Sequence, residues 1–312
     1  MAADPVSLTV IILTLDEQDN LPKALLSIQG LAAKVFVLDS GSTDDTVSVA
    51  LAGGATVLQR RFRHYGDQWR WALKNLPIET DWVMKLDADE RVSPQLADEL
   101  RALGATTPQR GFIVPIRLWF MGRPLHAKID FLTRVWRNGA ASMTDVLVNE
   151  HLEVDGPVGH LNGVLEHHDS PTLERWYAKQ NRYTTLEAIA RHSETWAAEP
   201  SLFGSQLERR MFLKKHFFNV PFRYAMLTAY NLVAGGAWRD GRVGFTWARL
   251  RADVMRMVEL KLREIERTGH VPAVPQAPTG PFDPRVLATS LQQTLVGDDL
   301  DEPSASTSRD LP

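Results

Sequence analysis

The sequence predicts an α/β protein: a mostly parallel sheet flanked by helices, with a C-terminal helical extension. Short apolar, β-branched runs alternate with helix-period segments over about the first ninety residues. This alternation implies right-handed crossovers between parallel strands. From Leu173 to Arg267 the pattern turns mainly helical.

Leu8–Leu13 (LTVIIL) is continuously apolar, as a strand buried on both faces requires. Asn20–Ile28 carries apolar residues at helical spacing, and Val35–Leu38 is a second short strand. Asp44–Leu51 reads as a helix, with Ser42 or Thr43 as its cap and Gly53-Gly54 as its stop. Thr56–Leu58 is a third strand, Asp67–Leu76 a helix and Trp82–Leu86 a fourth strand. Ser93-Pro94 opens another helix, with serine as cap and proline at the first helical position. Residues 111–168 mix short strands and loops. The last helix aligns Leu250, Val254, Val258, Leu262 and Ile265 on one face. The expected organisation is an α/β domain over 1–172, a helical extension over 173–267, and a disordered tail over 268–312 rich in Pro, Ser, Thr and acidic residues.

At 312 residues and 44% apolar composition the chain can bury a sizeable core. It has no cysteine, which excludes disulfides, thiolate zinc sites and cysteine nucleophiles, and fits the cytoplasm. The net charge of -3 gives no reason to expect nucleic acid as a partner. Met1–Ser7 lacks a basic residue and does not read as a signal peptide. Phe217–Trp238 contains Asn219, Pro221, Arg223 and Asn231, and reads as helical but not spanning. Basic residues interleave with Phe, Trp and Tyr across 209–267. That segment could lie on an anionic membrane surface, or could be a solvated helical face.

In an open parallel sheet, ligands bind beyond the carboxyl ends of the strands. Thr14-Leu15-Asp16-Glu17 follows the first strand here, Asp39-Ser40 the second, Arg60, Arg61 and Arg63 the third, and Asp87-Ala88-Asp89-Glu90-Arg91 the fourth. Any one of these could be a turn or a helix cap. Together they place three acidic tips and one basic tip on one rim. Asp87 and Asp89, one residue apart, can both reach a divalent cation, Mg²⁺ or Mn²⁺, which prefers hard oxygen ligands. Asp39 can accept from a base N–H such as uracil offers, Glu17 can hold the nucleoside, and Gln68 and Arg70 can grip diphosphate oxygens. Thr14, Leu15, Ser40, Asp87 and Ala88 complete the candidate nucleotide-binding set. No G-x-G-x-x-G follows the first strand, and neither a P-loop nor a G-x-S-x-G elbow occurs.

At these residues the sequence resembles the family 2 glycosyltransferases, which have the Rossmann-like GT-A fold. The matching blocks are VIILTLDEQDNL, VFVLDSGSTDDT, YGDQWRWAL and WVMKLDADERV. VNEHL, LEHH and DGRVGF are similar to a branch resembling the lipopolysaccharide-core glucosyltransferases. The resemblance implies an inverting, metal-assisted transfer from a nucleotide-sugar, a UDP-sugar by preference, to a glycan or lipid-linked acceptor at the inner face of the cytoplasmic membrane. It places Glu17 and Asp39 on the nucleoside, Asp87 and Asp89 on the metal-diphosphate, and Glu150 as the catalytic base. An inverting transfer needs one carboxylate to take the acceptor hydroxyl proton. Asp145 and Asp130 are fallback bases. Of His167 and His168, His167 is preferred as a metal ligand. Two positions depart from the pattern: Asp16-Glu17 replaces the usual Asn-Glu, and Arg70 stands where the related branch has Asn. The second bears on phosphate contacts and donor choice. The competing expectations are a nucleotidyltransferase making nucleotide-sugars, which normally carries a glycine-rich basic loop after the first strand, and a non-catalytic binding module.

Overall fold

The computed structural model describes residues 6–104, 106–143, 152–169, 172–194, 198–204, 206–273 and 279–296. The first part of the chain runs β1 (Val6–Thr14), α1 (Leu21–Ser27), β2 (Ala32–Asp39), α2 (Thr46–Ala52), β3 (Thr56–Gln59), α3 (Tyr65–Asn75) and β4 (Trp82–Lys85). Next come β5 (Glu90–Val92), α4 (Pro94–Arg101), β6 (Gly111–Phe120), β7 (Arg123–Arg137), β8 (Ala141–Met143), β9 (Leu152–Val154), β10 (Val158–His160) and β11 (Leu165–His167). The helices α5 (Leu173–His192), α6 (Gln206–His216), α7 (Arg223–Val233), α8 (Gly241–Thr268), α9 (Pro284–Leu287) and α10 (Ser290–Val296) follow.

Among the described residues, a nine-stranded sheet has the order β3-β2-β1-β4-β7-β6-β11-β5, with β10 paired to β6; β8 and β9 form a separate pair. Strands β3, β2, β1 and β4 are parallel. The sheet becomes mixed at β7, which runs antiparallel to β4. The turn between β6 and β7 is Met121-Gly122, both with positive φ, as a two-residue hairpin turn of matching twist requires.

Alternation along the central strands sorts the core. Leu8, Val10, Ile12, Val37, Trp82 and Met84 pack with α1, α2 and α4 on one face of the sheet. Ile11, Phe36, Leu38 and Val83 pack with Trp69 of α3 and Trp136 of β7 on the other. Burial on both faces explains why β1 reads as an unbroken apolar run.

The chain divides into two compact units. One holds Met1–Ile116, Phe131–His167 and Pro278–Pro312; the other holds Arg117–Asp130 and His168–Ala277. In the second unit, α8 buries Leu250, Val258 and Ile265, with Val254 and Leu262 partly covered, as its spacing predicts. Gly244 there meets the Ala237 carbonyl so closely that a Cβ would lie 1.9 Å from it. The stretch Phe217–Trp238 is broken by 3₁₀ turns at Phe217–Asn219 and Ala237–Asp240 around α7. No described helix is long and apolar enough to cross a membrane.

Two local expectations are corrected. Helix α2 starts at Thr46 behind Asp45 rather than from a Ser42 or Thr43 cap, because Ser42 bonds the Asp39 carboxylate at the end of β2 and Thr43 bonds the Asp16 carboxylate of the neighbouring loop. The tail is not without structure throughout. Gln292 of α10 is fully buried, as are Val286 of α9 and Val296 of α10, and residues 279–296 belong to the first unit. The remainder of the tail, 297–312, lies outside the described residues.

The Ser93 hydroxyl accepts from Leu96 N at 3.3 Å and Val164 N at 3.1 Å, capping α4 and holding the approach to β11 together. Ser93→Ala is expected to lower stability by about 1–2 kcal/mol, read as a shift in denaturation midpoint. An unchanged midpoint would contradict this account of α4.

Candidate active site

Register aligns the strand tips. Thr14 at the end of β1 faces Asp39 at the end of β2, and Ile11 of β1 faces Lys85 at the end of β4. The carboxyl ends of three adjacent parallel strands therefore open onto one rim.

Asp39 is fully buried. One oxygen accepts from Thr14 Oγ1 at 3.1 Å and from the Ser42 hydroxyl. The other accepts from Gly41 N at 3.0 Å, Ser42 N at 3.0 Å and Gln59 Nε2 at 2.8 Å. A carboxylate has about four lone-pair positions, so this one is saturated by the protein, and a base N–H must displace or share with a rotatable hydroxyl. Asp16 stands in the left-handed region at φ 55 and accepts from Thr43 N at 2.7 Å and Thr43 Oγ1 at 3.1 Å. Aspartate is among the few residues that tolerate this conformation. The Asp16 amide donates to Ser42 Oγ at 2.9 Å, and the amide of half-buried Glu17 donates to Thr46 Oγ1 at 2.7 Å. The Glu17 carboxylate accepts from Asn20 Nδ2 at 2.9 Å. These bonds lace the loops after β1 and β2 into one cradle; half-buried Leu15 is part of it.

Gln68 is buried on α3 and spends its amide on the protein. It donates to Ser40 Oγ at 3.3 Å and to the Arg60 carbonyl at 3.1 Å, and accepts from Arg60 Nη1 at 3.1 Å. In this structure it joins the β2 and β3 tips. Of the basic tip, Arg60 is buried against Asp67 at 2.5 Å. Arg61 donates to the Gly280 carbonyl at 2.9 Å. Arg70 is half-buried on α3.

At the β4 tip the two aspartates turn to different partners. Asp87 Oδ2 lies 2.8 Å from Arg134 Nη2, and Asp89 Oδ2 lies 3.2 Å from His167 Nε2. Ala88 between them packs into the core. His167 is delivered by antiparallel pairing of β11 with β5, which sets it opposite Glu90. A carboxylate oxygen and an imidazole nitrogen at this separation are a donor set suited to a divalent cation. His168 belongs to the second unit, where it stacks on Trp119 with ring centroids 4.5 Å apart. Asp130 also belongs to that unit. Glu150 and Asp145 lie outside the described residues.

The first-strand-to-fourth-strand alternation did not reveal Arg134, and it placed Glu90 at the fourth tip without giving it a role. Arg134, from β7, is buried between Asp87 and Glu90, at 2.8 Å and 2.5 Å. The signal was there: a lone arginine inside the apolar run FLTRVW, and a glutamate directly after Asp89. Burial pushes Glu90 up, to about 7, against the lowering effect of Arg134 and with the help of the Asp87 charge. Burial pulls Asp87 upward too, but Arg134, with Lys85, overrides it and holds that carboxyl well below the usual carboxylate range. Burial alone would pull Arg134 down; the two carboxylates keep it above the ordinary arginine range.

The pH consequence has a definite sign. Glu90 keeps its proton in the folded chain between its ordinary 4.5 and about 7, while the unfolded chain has lost it, so stability falls as pH rises through that window and then levels. Asp87 acts oppositely: its contribution is present above its ordinary 3.8 and is lost as pH falls below that. In metal-free protein, Glu90→Gln is expected to flatten the decline across the Glu90 window. A decline of the same slope in that variant would remove Glu90 as its source.

Residues 9–138 match the family model described as Glycosyl transferase family 2. An uncharacterized glycosyltransferase of Rickettsia prowazekii is 28% identical over 196 residues, covering 58% of this chain and 66% of that protein, just under two thirds of its length. One from Rickettsia conorii is 29% identical, covering 58% and 69%. Among solved structures, glucosyl-3-phosphoglycerate synthase from Mycobacterium tuberculosis, in complex with Mn²⁺, UDP and glucosyl-3-phosphoglycerate, is 20% identical over 57% of this chain and 78% of that one, with a TM-score of 0.36. Mannosyl-3-phosphoglycerate synthase from Rubrobacter xylanophilus is 23% identical over 36% and 41%, with a TM-score of 0.32. A mixed sheet flanked by helices, followed by a helical region, is the α/β GT-A arrangement expected from the sequence, and over residues 9–138 the chain is similar to the glycosyl transferase family 2 model.

Proposed function

We propose that this protein transfers a sugar from a nucleoside diphosphate sugar, by preference a UDP-sugar, to a glycan or lipid-linked acceptor such as lipopolysaccharide core, with inversion. One observation carries the reading: in a chain similar over residues 9–138 to the family 2 model, the tips of separate strands bring a cradle around Asp39, the Arg134-bound Asp87, and the Asp89–His167 pair to one rim. The saturated Asp39 loop forms the nucleoside end, with Thr14, Leu15, Glu17 and Ser40. Gln68, through the tips it joins, and Arg70 flank the diphosphate. Asp89 and His167, with Asp87 beside them, hold Mg²⁺ or Mn²⁺. When bound, such an ion offsets the charge that develops on the diphosphate leaving group. Arg134 keeps Asp87 ionised and oriented for that role. Glu150 serves as the base that takes the acceptor proton.

The acceptor side of the reading rests on the second unit. Phe222, Met226, Tyr230, Val233 and Trp238 are all more than half exposed, on and just beyond α7. Lys215, Arg239 and Arg242 are exposed in the same unit. Exposed aromatic and apolar side chains beside cations suit the interface of an anionic membrane, and this unit would bring a lipid-linked acceptor from the cytoplasmic face.

Purified protein incubated with UDP-sugars and Mn²⁺ is expected to release UDP, faster once the right acceptor is added. Asp89→Ala should cut metal-dependent turnover at least about 100-fold with an unchanged melting midpoint; full turnover in that variant would sink the metal assignment. Anionic liposomes should carry the protein upward in flotation, and high salt should release it. Protein that stays at the bottom of the gradient at low salt would remove the membrane surface from the reading.

A further inference from the structure

We propose that the C-terminal segment 279–296 is a positioning element of the nucleotide site, acting through Gln59 on the Asp39 carboxylate. The inference rests on the reading that Asp39 meets the nucleoside.

Strand β3 is the outermost strand at its end of the sheet, and an outer strand leaves main-chain donors and acceptors open. At Gln59 these are closed by a side chain from more than two hundred residues away. The Gln59 N–H donates to Gln292 Oε1 at 2.9 Å, and Gln292 Nε2 donates to the Gln59 carbonyl at 2.7 Å. One buried amide thus does what a neighbouring strand would do.

The Gln59 side chain passes the contact inward. Its Oε1 accepts from Asp283 N at 2.6 Å, and its Nε2 donates to Asp39 Oδ2 at 2.8 Å. A main-chain N–H can only donate, so the segment fixes the amide oxygen outward and aims the NH₂ at the carboxylate. A second tie reaches the same oxygen from the other side. Gly280 N donates to the Gly41 carbonyl at 2.8 Å, and Gly41 N donates to Asp39 Oδ2 at 3.0 Å. Gly41 sits at φ +94, and a Cβ there would lie 3.2 Å from the Gly280 carbonyl, so the close approach needs glycine. Arg61 clamps the segment, donating to the Gly280 carbonyl at 2.9 Å with its guanidinium 4.5 Å from the Phe282 ring centroid. The anchoring is firm: Val286 joins the core on one face of the sheet and Val296 the core on the other. A segment that only covered the edge would not need to reach two of the donors on Asp39.

Asp283 allows a clean test, because its φ of -68 already suits proline. Asp283→Pro removes the N–H that orients Gln59, whereas Asp283→Ala keeps it and removes only the side chain. Both are compared in the full chain with Gln292→Ala. Calorimetric titration with UDP and Mn²⁺ is expected to show affinity about tenfold weaker for Asp283→Pro and Gln292→Ala, and near wild type for Asp283→Ala. Turnover at saturating donor should change less than KM. Amide hydrogen exchange at Gly41, Ser42 and Gln59 should quicken in the two weakened variants, while amides in β1 and β4 stay protected. Faster exchange with unchanged UDP affinity would overturn the proposal and leave an edge cover. Unchanged exchange would overturn it at the first link. If wild-type protein binds no UDP, the nucleotide reading fails and takes the segment's assigned role with it, while the exchange data still report whether the segment holds the Asp39 loop. Loss of folding in Gln292→Ala leaves the Asp283 pair to decide.

Discussion

Three carboxylates crowd the end of β4, and one buried guanidinium makes that crowding tolerable. Asp87, Asp89 and Glu90 lie within four consecutive residues. Left alone, they would repel one another in a partly desolvated place. Arg134 enters from β7, which pairs antiparallel with β4, and bonds both Asp87 and Glu90. A buried ion pair is seldom a net source of stability, since desolvating its members is expensive, but removing one partner leaves the other stranded. What the arrangement fixes is the distribution of charge. Asp87 stays ionised, Glu90 takes up a proton readily, and Asp89 is left to face His167.

The same logic governs the tips of β1 and β2. Asp16 and Asp39 each hold down main-chain donors of the loop 41–43, so that loop is shaped by one buried and one exposed carboxylate instead of by a helix cap. A cradle whose bonds are already made holds its shape before any ligand arrives, and preorganisation of this kind cuts the ordering cost of binding. It also defines what a ligand must do at Asp39: turn a hydroxyl aside, since the amide donors from Gly41, Ser42 and Gln59 are fixed by main chain or by a clamped side chain.

The second unit is organised differently. Its long helix α8 buries a regular stripe, while α7 leaves large apolar side chains in the open. Charge is handled there by local pairs such as Arg223–Glu259 at 2.6 Å, and by Asp240, which accepts from the His126 amide at 3.0 Å. These contacts lie within the helical unit.

By itself the sequence determined the order and type of the first seven elements, β1 to β4, the Ser93 cap of α4 with its following proline, the buried stripe of α8, and the rim on which Asp39, Asp87 and Asp89 stand; the short β5 between β4 and α4 was not legible. Those features are encoded in periodicity and in residues within a turn of one another, so a local reading reaches them. Tertiary structure alone decided that Arg134 serves Asp87 and Glu90, that His167 meets Asp89, that Gln68 joins two loops, and that Gln292 closes the main chain of Gln59. Each of those is a match of donor to acceptor between residues far apart in the chain. Hydrophobic period states which face of an element is buried, but not which polar group waits on the other side.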